Sequence, residues 1–143
     1  LIPSGVLTVA VVTIYVDNAS DAFVWEGEYI DENWCYFRPR RFANCNLALV
    51  PGATANGGPV VLFPQGTNYE QQWRASERSG DNYCIYSRQG SGVMEVGAYS
   101  KAPLCPIQVW SQAWHDWQRW SASADATASR FSPRSPTAGL SVP

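Results

Sequence analysis

The sequence predicts an all-β domain made by repeating one unit of about 47 residues three times. Two observations lead there. Tryptophan recurs at positions 25, 73 and 120, and each copy closes a segment of similar pattern: VVTIYVDNASDAFVW at 11–25, PVVLFPQGTNYEQQW at 59–73 and PIQVWSQAWHDWQRW at 106–120. No stretch sustains a helical apolar stripe, whereas short runs rich in β-branched and alternating apolar residues are frequent.

The elements of the unit follow in order. Ten residues before each of these tryptophans stands another aromatic (Tyr15, Phe63, Trp110), and thirteen before stands Val12, Val60 or Ile107, which marks one apolar strand per unit. Upstream, CYFRPRRFANCNLALVPGATANGGPV parallels NYCIYSRQGSGVMEVGAYSKAPLCPI as strand, turn, apolar triplet and Gly-containing loop, with Leu47 matching Met94 and Leu49 matching Val96. The first unit lacks this half at the N-terminus, where Leu1–Ser4 instead matches Leu49–Gly52. Gly139–Pro143 resembles Asn46–Pro51, so residues 121–143 are expected to complete the first unit, as in a circular permutation.

A unit of about four short strands cannot bury its own apolar face, but about twelve strands from three units close into a small barrel without exposed edges. A propeller of such units takes at least four blades. The expected fold is therefore a β-trefoil, one domain over residues 1–143, its units ending near Trp25, Trp73 and Trp120. These three tryptophans are read as core. The run Leu7 to Val16 is β-branched and lacks a basic flank, so it is read as strand rather than as a signal-peptide core.

Composition narrows function by exclusion. A net charge of -2 and a pI near 5.3 lack the basic footprint that nucleic acid requires, and Arg38, Arg40 and Arg41 read as a solvated strand end. Cys35, Cys45, Cys84 and Cys105 show no CxxC spacing and have a single His to join them, so no metal site is expected. They leave one or two disulfides open if the protein is secreted. No apolar run approaches a membrane span, and no cofactor motif is present. Catalysis is not expected: no nucleophile motif occurs, any His-dependent site must use His115, and the acid pairs Glu26 with Glu28 and Asp31 with Glu32 read as solvated surface. Asn18-Ala19-Ser20 is a glycosylation sequon.

The segment NLALVPGATANGGPVVLFPQGTNYEQQW, with QxW at Gln71–Trp73 and again at Gln118–Trp120, resembles the ricin B-type lectin repeat. The second and third units, roughly residues 35 to 120, carry the resemblance. It implies a secreted or extracellular carbohydrate-binding protein for galactose- or GalNAc-type glycans of glycoproteins or glycolipids. It also implies sites made from an acid in the apolar strand, an aromatic platform for the sugar's apolar face and polar residues ahead of the final Trp.

Carried onto the third unit, the acid is Glu95, the platform Trp110 and the polar positions Trp117 and Gln118, with Gln112, His115 and Asp116 close enough to contribute. In the second unit Ala48 takes the acid position, leaving Phe63, Asn68, Glu70 and Gln71 for an altered site. In the first unit Tyr15 is the aromatic, Asp17, Asn18 and Asp21 follow it, Phe23 replaces the Gln, and Ser141 falls at the acid position. Gln71 and Gln118 read equally well as turn-holding or ligand-facing. The alternative is a β-trefoil protease inhibitor or other protein-binding module, for which the lost acid and the proline-bearing RPRR segment speak. Exposed aromatics also suit a homodimer contact, which would raise a lectin's avidity.

Overall fold

The computed structural model describes residues 10–11, 13–16, 25–53, 56–77, 82–97, 106–113, 116–124, 129–133 and 138–141. Thirteen strands are formed there: β1 (Ala10–Val11), β2 (Thr13–Val16), β3 (Trp25–Tyr29), β4 (Cys35–Pro39), β5 (Cys45–Leu49), β6 (Val60–Pro64), β7 (Trp73–Glu77), β8 (Asn82–Ser87), β9 (Val93–Val96), β10 (Ile107–Trp110), β11 (Trp120–Ala124), β12 (Ser129–Pro133) and β13 (Ala138–Ser141).

Six of them close a ring. Antiparallel pairing runs β3–β4–β7–β8–β11–β12 and returns to β3, so no barrel strand is left as an edge. Three hairpins complete the structure: β5–β6, β9–β10, and β13–β2, with β1 added beside β6. Three barrel hairpins with three capping hairpins make the protein a β-trefoil. In the third capping hairpin the partners come from opposite ends of the chain, Ser141 facing Thr13 and Leu140 facing Ile14.

The register repeats with the unit. Trp25 faces Pro39, Trp73 faces Ser87 and Trp120 faces Pro133, so each repeated tryptophan opens one barrel strand opposite the end of the next. Each also sits at the seam to a neighbouring hairpin, opposite Ser129, Cys35 and Tyr83 respectively. All three are fully buried in one cluster with Leu47, Leu49, Leu62, Ile85, Met94, Ile107 and Val109. Alternation explains the choice: in β5 Cys45, Leu47 and Leu49 enter this core, while Asn46 and Ala48 are buried on the opposite face.

A buried indole must place its N–H. Trp73 Nε1 donates to Leu47 O at 2.9 Å, and Trp120 Nε1 donates to Met94 O at 3.0 Å. Leu47 and Met94 are matched positions in the capping hairpins, so each bond fastens a cap to the barrel.

The RPRR segment is not a projecting loop. Pro39 ends β4 as a buried residue, Arg40–Phe42 form one 3-10 turn that buries Phe42, and the arginines are tied to β3 by Arg38–Glu28 at 2.9 Å and Arg40–Glu26 at 3.6 Å. Cys35 and Cys45 are buried thiols rather than disulfide partners. Cys35 Sγ donates to Trp73 O at 3.4 Å, and burial pushes its thiol pKa up to about 12. Cys105 and the run Leu7–Thr8–Val9 lie outside the described residues.

Two predictions follow from this packing. Trp73→Ala or Trp120→Ala should cost about 3–5 kcal/mol in urea unfolding, while Trp73→Phe, which keeps a ring but drops the indole donor, should cost about 1–3 kcal/mol. A Trp73→Phe variant as stable as the parent would show that the indole bond contributes nothing. Cys35 should resist iodoacetamide at pH 8 in the folded protein and react once unfolded, read by mass mapping. Because its folded pKa is raised, its stabilising contribution is intact below the ordinary thiol value of 9.0 and declines as pH climbs from there toward about 12.

Candidate functional site

The β9–β10 hairpin sets Glu95 opposite Gln108 and Val93 opposite Trp110. Ile107 and Val109 turn inward, so Gln108 and Trp110 stand on the outer face, and Trp110, the last residue of its strand, stays 40% exposed. Such exposure for the largest side chain, on a strand otherwise used for packing, is the main opportunity for a ligand on this face.

Glu95 lies beneath that face. It is only 1% exposed. Gln118 Nε2 donates to its Oε1 at 2.9 Å, and Gln108 Nε2 donates to its Oε2 at 2.6 Å. Both carboxylate oxygens are thus occupied by carboxamides, and Glu95 acts on the site by holding Gln118. Gln118 in turn donates to Ser111 O at 2.9 Å and accepts from Ala113 N at 2.8 Å, which fixes the loop after Trp110. It reaches this position from a 3-10 turn, Asp116–Gln118, whose Trp117 packs against the core and whose Asp116 is exposed, 3.6 Å from Arg119 Nη1. Gln112 is half-buried beside them. Trp114 and His115 lie outside the described residues.

The platform is completed from the second unit. Asn56 Oδ1 accepts from both Ser111 N and Ser111 Oγ, at 2.8 and 3.0 Å. Gly57 N donates to Val109 O at 2.8 Å, and Val109 N donates to Gly58 O at 2.9 Å, so this loop is zipped along β10. Gly57 adopts φ +90, and a Cβ there would stand 3.8 Å from Trp110 Cζ3. Glycine both permits the turn and keeps backbone close to the indole. Spacing in the sequence does not point to Asn56, Gly57, Gln108 or Ser111. The Asn-Gly-Gly turn signal was legible, but its meeting with Trp110 spans more than fifty residues of chain.

The second unit repeats the pin with one exchange. Gln71 donates to Pro64 O at 3.0 Å and accepts from Gly66 N at 2.8 Å, matching Gln118 with Ser111 and Ala113. Its third partner is Asn46, whose Nδ2 donates to Gln71 Oε1 at 2.7 Å. Asn46 precedes the indole-bonded Leu47, whereas Glu95 follows Met94; the two positions lie on the same outer face of their strands, two residues out of step. Ala48, at the acid position, is buried and takes no part. Phe63 is half-buried opposite Asn46. Asn68 is exposed and donates from Nδ2 to Glu70 Oε1 at 3.2 Å. In the first unit Tyr15 lies in β2, while Asp17, Asn18, Asp21 and Phe23 lie outside the described residues. Among the described residues no three His, Cys, Asp or Glu side chains gather as metal ligands.

No family model and no curated protein matches this chain. Solved structures do. A designed three-fold symmetric protein, ThreeFoil, superposes with a TM-score of 0.66 at 16% identity, covering 79% of this chain and 96% of that one. An exo-β-1,3-galactanase from Clostridium thermocellum gives 0.70 at 19% identity over 85% of this chain, and a mosquitocidal holotoxin gives 0.64 at 15% over 80%. This chain spans only 30% and 16% of the lengths of the latter two. At such identities the likeness is one of fold.

Removing either member of the Glu95–Gln118 pair should strand a buried polar group and cost about 1–3 kcal/mol in denaturant unfolding. A double-mutant cycle with Glu95→Ala and Gln118→Ala should show a coupling of about 1 kcal/mol or more. Simple additivity would mean that the two groups do not cooperate in holding the loop.

Proposed function

We propose that this β-trefoil is a non-catalytic carbohydrate-binding protein of the ricin B-like kind, acting on galactose- or GalNAc-type glycans outside the cell. The exposed indole of Trp110 carries this reading. Galactose's axial 4-hydroxyl leaves one ring face rich in C–H groups, which suits stacking on a flat aromatic surface. Beside that surface lie the Asn56 carboxamide and the Ser111 hydroxyl, and Gln112 and Asp116 follow on the next loop and turn. The loop after Trp110 is anchored by the buried Gln118, and the Asn56 loop by its bonds to Ser111 and β10, so little ordering is needed on binding.

The chemistry of the face favours binding over turnover. In the β9–β10 hairpin and the 3-10 turn that follows it, the acids among the described residues are Glu95, committed to two carboxamides, and Asp116, at the surface. Hydrolysis of a glycoside ordinarily needs two carboxyl groups facing across the scissile bond. That one structural neighbour is a galactanase, of which this chain spans a minor part, agrees with a galactose-directed module.

The test is a glycan array with the purified protein. Galactose-terminated glycans should be retained, and Trp110→Ala, folded by circular dichroism, should weaken binding at least tenfold, about 1.4 kcal/mol. A blank array at high protein density would overturn the carbohydrate reading.

A further inference from the structure

A second group of side chains lies on the barrel wall, apart from the Trp110 platform. Arg74 on β7 faces Tyr86 on β8, and the β4–β7 register, with Cys35 opposite Trp73, places Trp34 beside Arg74 on the other side. The Arg74 guanidinium carbon stands 4.5 Å from the Tyr86 ring centroid and 5.9 Å from that of Trp34. Arg88 approaches the same indole at 5.1 Å and lies 4.2 Å over Tyr69, which is 52% exposed. Two guanidinium groups therefore share one tryptophan and are flanked by two tyrosines.

Arg88 is a positioned cation. Its Nη1 donates to Gln72 Oε1 at 2.8 Å, its Nη2 reaches Tyr69 OH at 3.4 Å, and Gln72 is itself held by donation to Thr67 O at 3.0 Å. Among the described residues Arg74 makes ring contacts, and none of them accepts a hydrogen bond from its guanidinium. Neither arginine has a carboxylate within ion-pair distance there, whereas Arg38, Arg40 and Arg119 each do. Asp31 is the acid that senses Arg88. Its Oδ1 already accepts from Asn33 N at 2.8 Å and Trp34 N at 3.0 Å, and those bonds chiefly hold its pKa low, with Arg88 adding a smaller pull. Among the described residues, two adjacent positive charges thus stand without a carboxylate in ion-pair contact.

The fold does not require them. At the positions of Arg74 and Tyr86 the β3–β4 hairpin pairs Glu26 with Arg38, and the β11–β12 hairpin pairs Ser121 with Ser132. The Arg–Tyr pair is a property of the β7–β8 hairpin alone.

We propose that Arg74 and Arg88, set on Trp34, Tyr69 and Tyr86, form a site for the carboxylate or sulfate group of an acidic saccharide. Stacked guanidinium groups present planar forks suited to bidentate oxyanions, and the exposed Tyr69 ring gives a sugar an apolar surface beside the charge. An extended polyanion is disfavoured by the neighbouring acids Asp31, which Arg88 reaches electrostatically, and Glu70, next to Tyr69. The choice of a saccharide as carrier rests on the carbohydrate-binding reading above; the oxyanion site itself does not.

The experiment is an NMR titration of the full chain with galacturonate oligomers, galactose 6-sulfate, neutral galactose and inorganic sulfate, at matched low ionic strength. One or both acidic sugars should shift the Arg74 and Arg88 Nε–H and Trp34 Nε1–H signals, and which of them does so assigns carboxylate or sulfate. Arg74→Gln, which keeps a polar side chain but removes the charge and the fork, should raise Kd at least tenfold for the acidic sugar. Arg88→Lys, which keeps the charge but not the fork, should raise it less. Trp110→Ala should leave these values unchanged while weakening the binding of neutral galactose at least tenfold. Acidic sugars that bind no better than inorganic sulfate, that bind equally to Arg74→Gln, or that fail to bind at all would overturn the proposal. Loss of neutral binding alone would count only against the Trp110 platform.

Discussion

The indole N–H of a repeated tryptophan, bonded to a backbone carbonyl in the hairpin that precedes it, is the connection on which the architecture depends. A barrel hairpin and a capping hairpin are separate two-stranded elements, each too small to be stable alone. Trp73 and Trp120 join them by filling the space between the two layers and by ending on Leu47 O and Met94 O. The ring supplies apolar area and the N–H supplies direction, which is why smaller apolar residues do not serve equally well at this position. Since each tryptophan also lies at the seam between neighbouring barrel hairpins, one side chain closes the unit and links it to the next.

The glutamines of the QxW segments work one layer further out. Two residues before each tryptophan, Gln71 and Gln118 are carried inward by the same turn that buries the indole, and each satisfies a backbone donor and a backbone acceptor of the preceding loop. A buried carboxamide has more hydrogen-bonding capacity than these two bonds consume. The remainder is met by whichever polar residue the apolar strand offers: Glu95 in the third unit, Asn46 in the second. The loop holding the platform is therefore rigid, while the surface residues around it are free to differ between units. That separation lets a capping hairpin expose Trp110 and a barrel hairpin carry the Arg74–Arg88 cluster on an unchanged frame.

Much of this was legible in the chain. The threefold repeat, the core role of the tryptophans and the match of Leu47 to Met94 all follow from spacing, because a repeated unit must bury equivalent positions. Leu140 and Ser141, in the segment matched to the apolar strand of the other units, pair with Ile14 and Thr13. The partner of Gln71 was not legible. Two residues of the same strand share its outer face, Asn46 and Ala48, and period-two alternation does not say which of them meets a glutamine more than twenty residues away. Nor was the burial of Glu95, since an acid in an apolar strand reads as a ligand group until its two amide partners are seen to converge on it.

By itself the sequence determined the periodic quantities: an all-β chain, three units, the residues that face inward, and the turns between strands. These depend on local spacing and on the need to hide apolar side chains. Tertiary structure alone decided which polar groups are spent internally and which remain for a partner. Glu95 and Gln118 are consumed by each other, Asn56 is brought beside Trp110 from another unit, and Arg74 and Arg88 meet across three strands on a shared indole. Such meetings are set by barrel closure and strand register. They join residues whose separation along the chain carries no periodic signal.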